Sequence, residues 1–169
     1  YPQDMKPKWW DKGKRHLYKK DKIMRKLLSS YKGHLTTRNN FFYSLTRSII
    51  SQQISVSAAD SVFLKFEKKC KGKINPKIVS QLTVANLRRC GLSRMKALGI
   101  KSLANKILDK SFNPKLIKKM SDEDAINYLT SLRKIGRWSS EMALIFFYNR
   151  PNIWPVQDIG LLRAISNNY

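Results

Sequence analysis

Apolar residues recur at spacings of three and four along most of the chain, and no segment shows the alternation that is typical of a strand. The longest pattern runs over residues 41–69 and is interrupted at 51–55 by the mainly polar sequence SQQIS. A polar interruption within an apolar stripe predicts two helices that meet at a short turn. Gln52 and Gln53 would lie at that junction.

Shorter stretches with the same periodicity predict further helices, and turn residues between them place the corners. The predicted elements are a short helix over 22–31, a loop over 69–76, a turn over 90–93 between two helices, a hairpin over 121–147 that begins at Ser121 with Asp124 as capping partner, and a last helix from near Ile159. Together they predict an all-α fold of several short helices with tight turns.

The hairpin over 121–147 carries the first candidate chemistry. A helix that begins just after a glycine turn presents free main-chain N–H groups, and with the helix dipole these bind phosphate. Gly136 would let the phosphate approach the backbone, and Lys134 and Arg137 add positive charge beside it. The alternative is a structural hairpin whose glycine only forms the corner.

The charge of the chain favours the phosphate interpretation. The 169 residues carry 34 Lys and Arg against 11 Asp and Glu, a net charge of +23, while 42% of the residues are hydrophobic. The length and the hydrophobic fraction indicate one folded domain with a core. Such an excess of positive charge favours a polyanion, which is nucleic acid first and an acidic membrane surface second. A generally lysine-rich composition is the remaining explanation.

Several classes of protein fit the sequence poorly. Two cysteines, Cys70 and Cys90, cannot form a four-cysteine zinc site or hold an iron–sulfur cluster, and His16 and His34 are too scattered for a metal site. No apolar run reaches the roughly 18 residues of a membrane span. We therefore expect a soluble intracellular protein, cytoplasmic or nucleoid-associated, that is a monomer and holds no metal by side chains.

Four motifs in this order resemble the helix-hairpin-helix DNA glycosylase superfamily. They are FFYSLTRSIISQQISVSAADSV, LRRCGLSRMKALGIKSLANKI, LRKIGRWSSEMAL and WPVQDIGLLRAI. The resemblance implies two helical lobes around a cleft, with the glycosylase domain over 9–169 and a tail over 1–8, of which 1–4 would be tag or linker. The chain ends soon after the last motif, so we expect the C-terminal part of the domain to be shortened.

Within the superfamily the sequence is most similar to the alkylated-base branch, that of 3-methyladenine DNA glycosylase II. Iron–sulfur cysteines are missing, and Trp138 stands where bifunctional members carry a lysine nucleophile, so that G-x-G-x-K becomes KIGRW. Without that lysine no Schiff base forms, which implies a monofunctional enzyme that uses water. One departure is Lys134, which replaces the first hairpin glycine and would be unfavourable if the position requires a positive φ.

Asp158 is the catalytic candidate that the resemblance implies. Cleavage of an N-glycosidic bond builds positive charge on the sugar, and a carboxylate stabilises it and orients or deprotonates the attacking water. The start of the last helix favours the ionised form of this side chain. By position alone, the sequence favours an ordinary N-cap aspartate, whereas the resemblance favours the catalytic role, and one residue can fill both.

The remaining site residues also follow from the resemblance. A positively charged alkylated purine would stack on Trp138, with Tyr43, Trp10 and Trp154 as further pocket candidates, although Trp138 could instead fill the core. Gln52 and Gln53 would fill the gap left by the extruded base, unless they are solvent-facing glutamines at a helix end. The DNA-contacting set is completed by Ser55, Gly91, Ser93, Lys96, Lys134, Ile135, Gly136, Arg137 and Ser139.

The sequence thus predicts a monofunctional DNA glycosylase that removes alkylated purines from double-stranded DNA in base excision repair. The resemblance implies no cofactor other than a monovalent cation at the main-chain carbonyls of the hairpin. A non-catalytic helix-hairpin-helix DNA-binding module and a glycosylase for another damaged base are the alternatives. The preferred lesion stays open among 3-methyladenine, 7-methylguanine, ethenoadenine and hypoxanthine.

Overall fold

The computed structural model describes residues 5–169, and within them every regular element is a helix. The α-helices are α1 (Trp10–Lys20), α2 (Lys22–Ser30), α3 (Phe41–Ser51), α4 (Val56–Lys69), α5 (Pro76–Gln81), α6 (Val84–Arg89), α7 (Arg94–Leu108), α8 (Asp122–Thr130), α9 (Arg137–Phe146) and α10 (Ile159–Asn168), with a 3-10 helix at Pro114–Lys119. The all-α prediction is confirmed. The tag or linker expected over residues 1–4 lies outside the described residues.

The chain divides into two compact units. One is continuous and comprises Asn40–Ser140, and the other combines the segment before it with Glu141–Tyr169. The continuous unit is built around α7, which packs against α3, α5 and α6, while α4 packs against α3. Its core contains fully buried apolar side chains from these helices, among them Leu45, Ile49, Ile50, Phe66, Leu87 and Ile100.

Serine side chains cap the first turn of three helices of this unit, where the sequence predicts that these helices begin. Ser55, at the end of SQQIS, caps α4 by accepting a hydrogen bond from Ala58 N at 3.2 Å. Ser93 caps α7 in the same way. Ser121 caps α8 by accepting from Asp124 N at 3.1 Å. Each hydroxyl satisfies an N–H that the first helical turn leaves unpaired, which is why short polar stretches fix the helix ends.

Two features differ from the sequence prediction. The segment before α2 contains α1, for which no helix is predicted from the sequence; the helix has no side-chain cap at its N-terminus and none of its residues is buried. The region before the turn at 90–93 is split into α5 and α6, because Thr83 and Asn86 form a reciprocal capping box that starts a new helix.

The second unit holds the N-terminal helices and α10. α1 packs against α2, whose N-cap Asp21 accepts a hydrogen bond from Met24 N at 2.7 Å. Trp9 Nε1 donates to the main-chain oxygen of Asn149 at 2.7 Å, and the rings of Trp9 and Trp10 lie 5.6 Å apart. Trp10 thus lies in an aromatic pair within this unit. Among the described residues, no helix has the length and apolar character needed to cross a membrane.

Candidate active site and DNA interface

The junction between α3 and α4 distinguishes the two glutamines that the sequence leaves equivalent. Gln52 Nε2 donates a hydrogen bond of 2.7 Å to the main-chain oxygen of Lys134, in the hairpin turn. Gln53 is exposed and has a left-handed backbone, with φ at 57°. The Gln52 side chain is therefore committed to a contact within the protein, whereas the Gln53 side chain is presented at the surface.

Lys96 is directed at the same junction. Its ammonium group donates to the main-chain oxygens of Ile50 at 2.8 Å and Gln52 at 2.6 Å, at the C-terminal end of α3. Burial, and secondarily the nearby Lys134, lowers the pKa of Lys96. An ammonium has three donors, and two are used here, so one donor remains for a phosphate. That phosphate contact by Lys96 stays a prediction.

The hairpin turn between α8 and α9 holds the residue that departs from the family pattern. Lys134 has a φ of 69°, so this position does adopt the left-handed conformation that glycine favours. Gly136 shows no positive φ, and a Cβ atom placed on it would meet nothing within 4 Å. The space beside Gly136 is consequently open to a ligand, as phosphate binding requires.

The turn also lies against α7, through a contact that the sequence analysis missed. A Cβ atom on Gly99 would lie 2.9 Å from Lys134 Cγ and 3.2 Å from Lys134 Cβ. Glycine is therefore required for this close approach of helix and turn. A glycine inside a helical pattern is the signal that could have indicated it.

The first turn of α9 carries the other predicted phosphate ligands. Arg137 is paired with Glu123 through two hydrogen bonds of 2.7 and 3.1 Å, and this contact lowers the pKa of the Glu123 carboxyl. The pair is exposed, so its net contribution to stability is small and Glu123 competes with any phosphate for Arg137. Ile135 and Ser139 are buried, so we expect contacts at these positions to come from the main chain.

Gly91 and Ser93 have structural roles in the turn before α7. Gly91 has a φ of 100°, and a Cβ atom there would lie 3.1 Å from Val62 Cγ2 of α4. The Ser93 hydroxyl accepts a hydrogen bond from Lys96 N at 3.2 Å. These roles account for both residue types, and their contact with phosphate stays a prediction.

Three of the aromatic pocket candidates differ in exposure. Trp138, at the start of α9, is 42% exposed, which disfavours the core-filler interpretation for its whole ring. Tyr43 packs edge-on against Phe63 with ring centroids 5.2 Å apart, so its ring contributes to the core of the continuous unit. Trp154 belongs to the other unit and is 64% exposed.

Asp158 forms the N-cap of α10. Its Oδ1 accepts a hydrogen bond of 2.7 Å from Leu161 N, and its own N–H donates to Pro155 O at 3.0 Å. A Cβ atom on Gly160 would lie 3.2 Å from the same Oδ1, so a residue without a side chain leaves room for the carboxylate. The capping interpretation is confirmed. The catalytic interpretation stays a prediction, and a rigid, half-buried carboxylate is compatible with it.

Main-chain oxygens of the turn are the candidate cation ligands. Lys134 O accepts from Gln52, Gly136 O from Ser140, and Leu132 O from Ile135 N. Lys134 O and Leu132 O each retain a second lone pair, whereas Gly136 O also accepts from Ser140 N, so at most two of these three oxygens are left for a monovalent cation, which stays a prediction. No group of three or more His, Cys, Asp and Glu side chains that could hold a metal occurs in the described part of the chain.

Comparison with known proteins identifies the class to which this fold and these motifs belong. The family described as HhH-GPD superfamily base excision DNA repair protein matches residues 46–169. The chain therefore belongs to the HhH-GPD superfamily of base excision DNA repair proteins, and the family resemblance predicted from the four motifs is confirmed.

Individual relatives carry names of the alkylated-base branch. DNA-3-methyladenine glycosylase 1 of Schizosaccharomyces pombe is 30% identical over 148 residues, which cover 85% of this chain and 63% of that protein. DNA-3-methyladenine glycosylase of Saccharomyces cerevisiae is 32% identical over 143 residues, which cover 77% of this chain and 47% of that protein. The chain spans roughly half of the length of such curated relatives.

Solved structures of proteins with such names superimpose on this chain. DNA-3-methyladenine glycosidase of Bacillus halodurans superimposes with a TM-score of 0.80 at 25% identity, covering 90% of this chain and 71% of that chain. The Schizosaccharomyces pombe 3-methyladenine DNA glycosylase in complex with abasic DNA superimposes with a TM-score of 0.76 at 27% identity, covering 94% of this chain and 82% of that chain.

Proposed function

We propose that this chain is a monofunctional DNA glycosylase that releases alkylated purines from double-stranded DNA by hydrolysing the N-glycosidic bond. The observation that carries the proposal is the fixed carboxylate of Asp158 at the N-terminus of α10, in a chain of this superfamily. The names of the relatives support the alkylated-base specificity.

Asp158 acts on the sugar. As the bond to the base lengthens, positive charge develops on the deoxyribose, and the carboxylate stabilises that charge and orients the attacking water. The Leu161 N–H holds one carboxylate oxygen in place, so the charge is positioned before the reaction begins. A cationic purine is already a good leaving group, so one carboxylate without a lysine nucleophile suffices.

The base and the phosphates are held by separate groups. The exposed ring of Trp138 stacks on the cationic base, with Tyr43 and Trp154 as secondary candidates. The open backbone at Gly136 and the charge of Lys134 bind a phosphate. The turn carbonyls would hold a monovalent cation, which would add positive charge beside that phosphate.

Gln53 fills the gap in the duplex. Extrusion of a base leaves its partner unpaired, and a glutamine amide can donate to and accept from the exposed base edge. The surface position of Gln53 supports this role over Gln52, whose amide is bound to the hairpin turn.

A non-catalytic DNA-binding module is the second candidate. It is favoured by one observation, the N-cap hydrogen bond of Asp158, because that bond alone explains an aspartate at this position. In this alternative the hairpin and the basic surface bind DNA without base release.

The deciding experiment incubates the chain with methylated duplex DNA, uses unmethylated duplex as control, and separates the released bases. We expect free 3-methyladenine or 7-methylguanine. The DNA strand should be cleaved only after alkali is added. Binding without base release would support the non-catalytic module. Strand nicking without added alkali would instead indicate a combined glycosylase and lyase.

A further inference from the structure

Lys96 lies in α7, yet its ammonium group ends at the loop that carries Gln53. We propose that Lys96 is a positioning residue, which holds the α3–α4 loop so that Gln53 is presented in one conformation to the gap in the duplex. This inference rests on the role proposed for Gln53 above.

The ammonium replaces hydrogen bonds that the end of α3 lacks. The last carbonyl groups of a helix have no intrahelical partner, and the negative end of the helix dipole favours a cation there. Lys96 satisfies the oxygens of Ile50 and Gln52, at 2.8 and 2.6 Å. Gln52 immediately precedes Gln53, so the contact to its oxygen fixes the chain where it enters the exposed residue.

Gln53 requires such a constraint. Its φ of 57° is a conformation that a residue with a side chain rarely adopts, and such a residue keeps it only where the surroundings impose it. Gln53 itself is exposed and therefore has little packing to hold it. The fixed position must come from its neighbours, and Lys96 bonds to the carbonyl of the residue before it.

The Gln52 side chain adds a second attachment. Its hydrogen bond to Lys134 O joins the loop to the hairpin turn, which is the proposed phosphate-binding element. The loop is thus held from α7 by a charged contact and from the turn by a neutral one. Charge-assisted hydrogen bonds are the stronger kind, so Lys96 is expected to dominate.

Lys101 provides a matched control on the same helix. Its ammonium donates to the main-chain oxygens of Ser80 and Leu82, at the C-terminal end of α5. The chemistry is the same as for Lys96, but the capped helix carries none of the proposed DNA contacts. A general effect of losing an internal ammonium would appear in both lysine variants, and an effect on Gln53 only in one.

The first measurement compares Lys96→Met with Lys101→Met by hydrogen exchange in the DNA-free protein. We expect the amides of Ser51 and Gln52, which are hydrogen-bonded at the end of α3, to exchange on the order of tenfold faster in Lys96→Met and at the original rate in Lys101→Met. Lys96→Arg, which keeps a cation, should restore most of the protection. If Lys96→Met does not fold, Lys96→Gln serves the same comparison. Unchanged exchange at Ser51 and Gln52 would overturn the proposal.

The second measurement is base release from two duplexes, one with the lesion paired and one with the lesion opposite an abasic site, where extrusion is easier. Lys96→Met should lose about tenfold on the paired lesion and far less on the unpaired one. In a Gln53→Ala background the same substitution should have little further effect, because Lys96 acts through Gln53. Equal losses on both duplexes, or additive losses with Gln53→Ala, would refute the positioning role.

The two measurements separate this inference from the proposed function. If the original protein releases no base from either duplex, the glycosylase proposal fails, while the exchange experiment still decides whether Lys96 holds the loop. If base is released but exchange is insensitive to Lys96, only the positioning role fails.

Discussion

The contact between α7 and the hairpin turn allows a sharp test in Gly99→Ala. The added methyl group would lie 2.9 Å from Lys134 Cγ, 3.2 Å from Lys134 Cβ and 3.4 Å from the main-chain oxygen of Arg133. Rotation of the lysine side chain moves Cγ away, but Cβ is fixed to the backbone of the turn. The turn must therefore shift, or α7 must.

Two opposing effects set the magnitude. Overpacking of this kind destabilises by about 1–3 kcal/mol, whereas glycine to alanine inside a helix stabilises by about 1 kcal/mol. We expect Gly99→Ala to lower the free energy of unfolding by about 1 kcal/mol. In a Lys134→Gly background both close atoms are absent, so the same substitution should raise it by about 1 kcal/mol.

The assay is a double-mutant cycle, in which urea unfolding is followed by far-ultraviolet circular dichroism for both single variants and the double variant. The predicted coupling between the two positions is about 2 kcal/mol. Lys134→Ala, which keeps Cβ but loses Cγ, should give an intermediate coupling. Additivity within about 0.5 kcal/mol would refute the steric argument, since independent sites behave in that way.

Three further predictions follow from single contacts. Gly160→Ala should reduce base release, because the new methyl group would lie 3.2 Å from Asp158 Oδ1 and displace it. It should not lower the unfolding free energy, because alanine favours the helix. Equal rates of base release for the two proteins would contradict this. Thr46→Val should stabilise the protein by about 1 kcal/mol in urea unfolding, because the buried Thr46 hydroxyl has no hydrogen-bond partner among the described residues; a clear loss of stability would show that the hydroxyl is used. Burial raises the pKa of the Cys70 thiol from 9.0 to about 11, so the folded state keeps a proton that the unfolded state loses, and stability should fall as pH rises from about 9 to 11. Cys70→Ala should flatten that dependence, and identical profiles of stability against pH in the two proteins would contradict the assignment.

The helices were largely predictable because capping residues close in sequence determine where they begin. The polar SQQIS segment separates α3 from α4, and the capping serines at the starts of α4, α7 and α8 act within three residues of themselves. α1 was not predictable in this way. Its N-cap position is Trp9, whose side chain makes no capping hydrogen bond, and five of its eleven residues are Lys or Arg.

The candidate site was predictable in its residue types but less so in their contacts. Gln52 and Gln53 are identical and adjacent, and their roles are separated by the contact from Gln52 to Lys134, 82 positions away, and by the exposed, left-handed conformation of Gln53. Lys96 was expected to contact phosphate, but two of its donors point to carbonyl groups of α3. A lysine in a sequence carries its charge but not the direction in which its flexible side chain extends.

Asp158→Asn tests the central claim most directly. Asparagine is nearly isosteric and also a good N-cap, so α10 should be retained while the negative charge is lost. Base release from methylated duplex DNA would be measured in single turnovers, alongside affinity for the same duplex. The catalytic role of Asp158 predicts a loss of about 100-fold or more in the rate of release with binding preserved. Release at the original rate in Asp158→Asn would contradict it.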